Sequence, residues 1–245
     1  LRHPEVRRTH PQAAKWIQIE SFIPGREVAV EGLLTRGKLR VLAIFDKPDP
    51  LTGPYFEETI YVTPSRLPQG VQEAIVHALD ASVRALGLQH GPVHAEFRVN
   101  DGGVYVLEIA ARPIGGLCAR ALRFKIPLLK QDMSLEEVLI RLALGQDMRR
   151  VAREVCASGV MMIPIPKAGF YEDTRGVQFA MAVPGIVDLE ITAKPQQKLV
   201  PLPEGSSYLG FIFARESTPE LAVQALREAH SKLEFVVAPE LPIVK

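Results

Sequence analysis

Two runs of strict alternation constrain this chain most: His94-Ala95-Glu96-Phe97-Arg98-Val99 and Val104 to Arg112, separated by Asp101-Gly102-Gly103. Alternation with period two marks half-buried strands. The Asp-Gly-Gly tip supplies the left-handed backbone that turns one strand back along the other. With a three-residue loop, Asn100 pairs with Val104, and counting back sets Glu96 opposite Glu108. One face then carries His94, Glu96, Arg98, Glu108, Ala110 and Arg112. The other carries Val93, Ala95, Phe97, Val99, Tyr105, Leu107, Ile109 and Ala111, a core face. Carboxylates opposed across a ladder repel. A cation belongs between them, and a hard divalent ion that keeps some waters and takes phosphate oxygens fits. The pattern alone equally admits two solvated strand carboxylates neutralised by Arg98 or Arg112.

The surrounding chain supports an α+β class. Residues 1–15 are polar and proline-punctuated. A strand is predicted over Lys15–Ile23, with Trp16 in the core, until Pro24-Gly25 breaks it. Strands Glu27–Leu34 and Lys38–Phe45 meet at Thr35-Arg36-Gly37. The proline-rich stretch Asp46–Pro54 reads as an exposed loop, and Tyr55–Thr63 as a further strand. Val71, Ile75, Val76, Leu79, Val83 and Leu86 recur at helical spacing, so a helix is predicted over Gln69–Leu86, stopped by Gly87. Past Arg112, Pro113-Ile114-Gly115-Gly116 is a turn. Ser134 with Glu137 forms a capping box that opens a helix to about Leu144. Strands Val160–Ile165, Val187–Ala193 and Leu209–Ala214, a helix at about Pro219–Leu233 capped by Ser217 or Thr218 with Pro in its first turn, and a strand Phe235–Ala238 follow. The expected organisation is residues 1–124 with the hairpin, then a small α+β lobe over 125–245.

Composition narrows the function classes. Against 28 acidic residues stand 29 basic ones, which leaves no basic surplus for nucleic acid. Cys118 and Cys156 lack metal-ligand spacing and read as free thiols of a cytoplasmic protein. No apolar run reaches the length of a membrane span, and the start has no signal-peptide pattern. The chain opens on Leu1-Arg-His-Pro, without an initiator Met or an element start, and is expected to be a fragment.

Two motifs, in order and at family-like distance, carry a resemblance across roughly residues 15–125. Gly91-Pro-Val-His-Ala-Glu-Phe-Arg with Val-Leu-Glu-Ile-Ala-Ala-Arg-Pro-Ile-Gly-Gly resembles the metal-binding hairpin of the ATP-grasp superfamily. Its Ala-Ala-Arg form is similar to the L-amino-acid ligase and carnosine-synthase-like branch. Upstream, Ile-Glu-Ser-Phe-Ile-Pro-Gly-Arg-Glu-Val-Ala-Val-Glu-Gly resembles that superfamily's adenine hinge. The resemblance implies the C-terminal half of an ATP-grasp protein, with ATP and Mg²⁺ (or Mn²⁺) as cofactors. It implies that Glu96 and Glu108 hold the metal and that Arg112 steadies an acyl phosphate or oxyanion. His94 points toward substrate. Glu20, Ser21, Phe22 and Ile23 face adenine, and Glu27 accepts from the ribose hydroxyls. Gly115 and Gly116 let the backbone approach a carboxylate substrate.

Read from the residues alone, several of these have plainer roles: Glu27 as an edge-strand surface charge, His94 as a structural histidine, Arg112 as a strand cap and Gly115-Gly116 as a turn. Cys118 reads as a small buried hydrophobe. The sequence also departs from the superfamily. Ala110 stands where many members have a metal-binding Asn. The glycine-rich phosphate loop and its lysines have no counterpart before Lys15, and Lys47 is the one nearby lysine considered for phosphate. The implied activity is ADP-forming carboxylate–amine ligation through an acyl phosphate, on small-molecule carboxylate and amine substrates, amino acids among them. No nucleic acid or membrane partner is expected, and a homodimer is left open. The alternatives are an ATP-grasp ligase of another branch (glycinamide-ribonucleotide-synthetase-, carbamoyl-phosphate-synthase- or biotin-carboxylase-like) or a non-catalytic module with the fold.

Overall fold

Alternation from Arg26 onward builds a hairpin of β1 (Arg26–Thr35) and β2 (Lys38–Asp46). In the computed structural model, which describes residues 16–17, 19–49, 59–115, 117–126, 132–201, 204–205 and 207–240, its turn is two residues long. Thr35 pairs with Lys38, and Arg36 and Gly37 both take positive φ, 52° and 74°. This is the backbone hand that matches strand twist. Next come β3 (Ile60–Thr63), helix α1 (Gln69–Ala85), β4 (Gly91–Asn100) and β5 (Gly103–Ala110). A 3-10 turn (Cys118–Ala121), β6 (Phe124–Lys125), α2 (Leu135–Ala143), β7 (Ala152–Arg153), β8 (Ala157–Ile163) and β9 (Gly169–Arg175) continue the chain. It closes with α3 (Val177–Met181), β10 (Ile186–Ile191), β11 (Lys198–Leu199), β12 (Gly210–Glu216), α4 (Pro219–Ser231) and β13 (Glu234–Ala238).

Eight strands form one antiparallel sheet in the order β10-β12-β8-β3-β2-β1-β4-β5. The sheet continues across the boundary expected near residue 125, because β3 pairs with β8, Ile60 opposite Met161. One face packs under α1 and α4. Val28, Val30, Ala95 and Phe97 meet Ile75, Leu79 and Val83 of α1, while Ile60, Val62 and Ile212 meet Ala222, Leu226 and Ala229 of α4. The other face carries Ala29, Phe45, Tyr61, Met162 and Phe213 against the 3-10 turn and α2. Caps expected from sequence close the helices: Ser134 accepts from the Glu137 amide and Thr218 from the Leu221 amide. Among the described residues no helix is long and apolar enough to cross a membrane.

Several expectations are corrected. The described part of Lys15–Ile23 is irregular rather than a strand, and Trp16 is 79% exposed, not core. Ile17 and Ile19 are likewise exposed, so their alternation reflects no buried face. Of Tyr55–Thr63, strand is formed by Ile60–Thr63, and residues 51–58 lie outside the described residues. Strand β9 and helix α3 had no expectation. The β4–β5 turn is also shorter than expected: Asn100 pairs with Gly103, not Val104. A bulge at Leu107 then takes up one residue and restores Glu96 opposite Glu108. Around that bulge Tyr105 and Leu107 are exposed instead of core, and Val104 joins Val99 and Ile109 on the packed face.

Candidate active site

The register between β1 and β4 builds the site. Glu27 stands opposite Arg98, Ala29 opposite Glu96, and Glu31 opposite His94. Opposite charges therefore face each other on either side of a small residue, and Ala29 leaves the space above it to Glu96 and its partners. Glu27 is buried on an interior strand, not an edge-strand surface charge. Arg98 Nε donates to Glu27 Oε2 at 2.7 Å, and Arg98 Nη1 donates to the Ile23 carbonyl at 3.1 Å. The Arg98 guanidinium also lies over the Phe22 ring, 5.2 Å from its centre.

Lys47, one residue past β2, is a buried cation on the Glu96 side of the hairpin. Its side chain is 2% exposed, and Nζ donates to Glu27 at 2.5 Å and to Glu96 at 2.8 Å. It also stands 4.9 Å from the centre of the Tyr61 ring. Sequence reasoning undervalued it because Lys47 opens a proline-rich stretch, where a lone lysine reads as solvated. Burial works against the charge on Glu96, but His94 and Lys47 outweigh it and hold its pKa down to about 2.

His94 is buried beside Glu31, with Nδ1 2.6 Å from Oε1. Its Nε2 lies 3.7 Å from Glu96, an ion-pair distance. Burial disfavours the imidazolium, yet the two flanking carboxylates prevail and raise its pKa to about 9. Burial pushes the Glu31 carboxyl upward against the pull of His94. Glu31 was not singled out from sequence, since Glu-Val-Ala-Val-Glu-Gly reads as an ordinary alternating strand.

On the outer side, Glu108 is exposed and Arg112 Nη2 stands 3.6 Å from it. Arg112 Nη1 donates to the Pro113 carbonyl at 3.0 Å. A Cβ added at Gly115 would meet only Arg112 Nη1, at 3.8 Å, so the fold itself does not demand glycine there. Gly116 lies outside the described residues. Glu20 and Ser21 are exposed on the irregular segment before Pro24.

His94, Glu96 and Arg112 open into a cavity of about 690 Å³ whose far wall is Met162, Tyr208 and Phe211. Cys118 also lines it, its Sγ 3.9 Å from Met162 Sδ, and is buried as expected. The second half of the chain thus supplies half of the wall, through the β3–β8 pairing. Another cavity, about 590 Å³, opens on the opposite face between α1 and β2 and includes none of these carboxylates. Among the described residues no third His, Cys, Asp or Glu joins Glu96 and Glu108 as a metal cluster. A pair of carboxylates on facing strands still suits Mg²⁺, which takes one or two such ligands and completes its shell with water and phosphate oxygens.

Residues 4–121 match the ATP-grasp domain, and residues 161–238 match the L-amino acid ligase C-terminal domain 2. The crystal structure of L-amino acid ligase from Bacillus licheniformis superposes with a TM-score of 0.76 at 28% identity, covering 88% of this chain and 53% of that one. Alanine–anticapsin ligase of Bacillus subtilis is 33% identical over 101 residues, 41% of this chain and 20% of that protein. An uncharacterized protein of Sinorhizobium fredii, y4rH, is 23% identical over 186 residues, 76% of this chain and 38% of its own length. The chain thus spans well under half of these curated relatives, and about half of the Bacillus licheniformis ligase. By these matches residues 4–121 belong to the ATP-grasp domain family and residues 161–238 to the L-amino acid ligase C-terminal domain 2 family, on a fold shared with an L-amino acid ligase.

Proposed function

We propose that the protein to which this chain belongs is an ADP-forming carboxylate–amine ligase acting on amino acids. The observation that carries this reading is Glu96, paired opposite Glu108, in the wall of a cavity shared with His94 and Arg112. Glu96 and Glu108 would hold Mg²⁺ or Mn²⁺, and the ion, when bound, neutralises charge on the ATP phosphates. The chain's own part is positioning and charge. Arg112, exposed beside the cavity, offers a guanidinium fork to a carboxylate, acyl phosphate or oxyanion. His94 presents Nε2 to the same space. Glu27 is already engaged by Lys47 and Arg98, so any ribose hydroxyl it accepts shares an oxygen with them. Phe22 and Ile23, braced by Arg98, would line the adenine side with Glu20 and Ser21. Gly115 and Gly116 would give the substrate carboxylate close access to backbone. The two sequence units, 1–124 and 125–245, would contribute opposite walls of one site, and the two free cysteines agree with a cytoplasmic setting.

The test is ADP release by the full-length protein over a panel of amino acids taken singly and in pairs. A pair-dependent signal that Glu108→Gln nearly abolishes, with the fold retained by circular dichroism, is the expected result. Undiminished turnover by Glu108→Gln overturns the metal assignment. ADP release stimulated by bicarbonate, or by glycine only together with phosphoribosylamine, and by no pair of amino acids, overturns the substrate class.

A further inference from the structure

Glu31 is the most deeply buried carboxylate among the described residues, at 1% exposure, and it sits in the middle of an interior strand. Its Oε1 meets His94 Nδ1 at 2.6 Å. Its Oε2 is buried and has no hydrogen-bond partner among the described residues. A fold that buried this group for stability would satisfy both oxygens, because an orphaned carboxylate oxygen forfeits its hydration with nothing in return. An apolar residue would also suit the position, as Ala29 and Leu33 do on the same face. The carboxylate needs a different reason, and its short contact with His94 supplies one.

We propose that Glu31 is a positioning residue that fixes the ring orientation of His94, turning Nε2 toward the substrate cavity. A carboxylate accepts, so the Nδ1–H of the ring is held by Oε1, and Nε2 is left as the end that faces outward. Nε2 is the atom nearest Glu96, at 3.7 Å, and His94 lines the 690 Å³ cavity. The register pins the pair: Glu31 and His94 are directly opposed residues of β1 and β4, so neither can rotate away without leaving a buried polar group unpaired. Glu31 does not itself line the cavity and acts through His94, to which it is hydrogen-bonded. The inference rests on the ligase reading, in which His94 faces substrate.

Two measurements on the full-length protein separate the claims. The first is the ¹⁵N spectrum of the His94 ring, which needs no turnover. It is expected to show Nδ1 protonated and protected from exchange, with that protection lost in Glu31→Gln. An unprotonated Nδ1 in the wild type overturns the proposal. The second is steady-state kinetics with unfolding followed in parallel. Glu31→Gln is expected to lower kcat about 10- to 100-fold, the usual cost of losing a group that orients a functional histidine, with the KM for ATP unchanged. His94→Gln should lower kcat by at least as much, and the double variant by no more than His94→Gln alone. If His94→Gln is slow while Glu31→Gln is not, the positioning role falls and the ligase reading stands. If neither matters, His94 drops out of the ligase reading as well. Should Glu31→Gln fail to fold, the wild-type ring spectrum decides.

Discussion

Lys47→Met is the most informative perturbation of the site. It keeps the stem volume and removes one buried charge that serves two carboxylates at 2.5 and 2.8 Å. Removing one partner of a buried ion pair costs about 3–5 kcal/mol, because the other charge stays behind. Two features pull this down: Glu27 keeps Arg98 at 2.7 Å, and Glu96 keeps His94 at 3.7 Å. A second estimate comes from Glu96 itself, whose fall from 4.5 to about 2 corresponds to about 3 kcal/mol of favourable charge environment shared between His94 and Lys47. Both lines place the loss near 2–3 kcal/mol at pH 7, read as a lowered urea midpoint with an unchanged m-value. Adding Glu96→Gln should recover part of it by removing the stranded charge. Mg²⁺ supplies a second arm. In the wild type an ion must displace Lys47 from Glu96, whereas in Lys47→Met that oxygen keeps the longer contact to His94, at 3.7 Å. Magnesium chloride should therefore raise the melting temperature of the variant more than that of the wild type. A variant within about 0.5 kcal/mol of the wild type, the range of neutral surface changes, would refute the argument that Lys47 is the site's structural counter-charge.

Other consequences can be checked alongside. His94, raised from 6.5 to about 9, adds stability that is complete below pH 6.5 and is lost as the pH climbs through 9. About 3 kcal/mol is at stake, and His94→Gln should flatten that limb of the stability–pH curve. Glu96 has the opposite sign, because its pKa is depressed. Its contribution is present above pH 4.5 and disappears only as the pH falls toward 2, so acid inactivation near pH 5 cannot be ascribed to Glu96. Ser134→Ala removes the cap on the Glu137 amide and should cost about 1 kcal/mol by chemical denaturation. Phe211→Ala, in the far wall of the cavity, should change the order of preferred amino acids while leaving the KM for ATP in place, as a substrate panel would show.

The carboxylate pair was legible because alternation across a hairpin fixes which side chains share a face, whatever the rest of the chain does. Helix ends were legible for a similar reason: Ser134 and Thr218 act on amides three residues away. What escaped depends on distant partners. Lys47 and Glu31 have unremarkable local sequence, and only the β1–β4 register and the end of β2 bring them to His94 and Glu96. The far wall of the cavity escaped because β3 reaches across about a hundred residues of chain to pair with β8. Trp16 misled in the other direction, since an apolar residue alternating with others indicates burial only when a second layer covers it.

The bulge at Leu107 separates two lengths that hairpins normally tie together. In a regular ladder, adding one residue to the turn slides every downstream side chain to the opposite face. Here the chain holds one residue in reserve between Glu96–Glu108 and Phe97–Val106. A deletion of Leu107 should regularise the ladder and keep both glutamates face to face. One residue inserted beside Gly102 could be absorbed in the same way, by drawing Leu107 into register with Phe97. The tip of this hairpin is therefore a place where related chains can differ in length while the chemistry stays where it is.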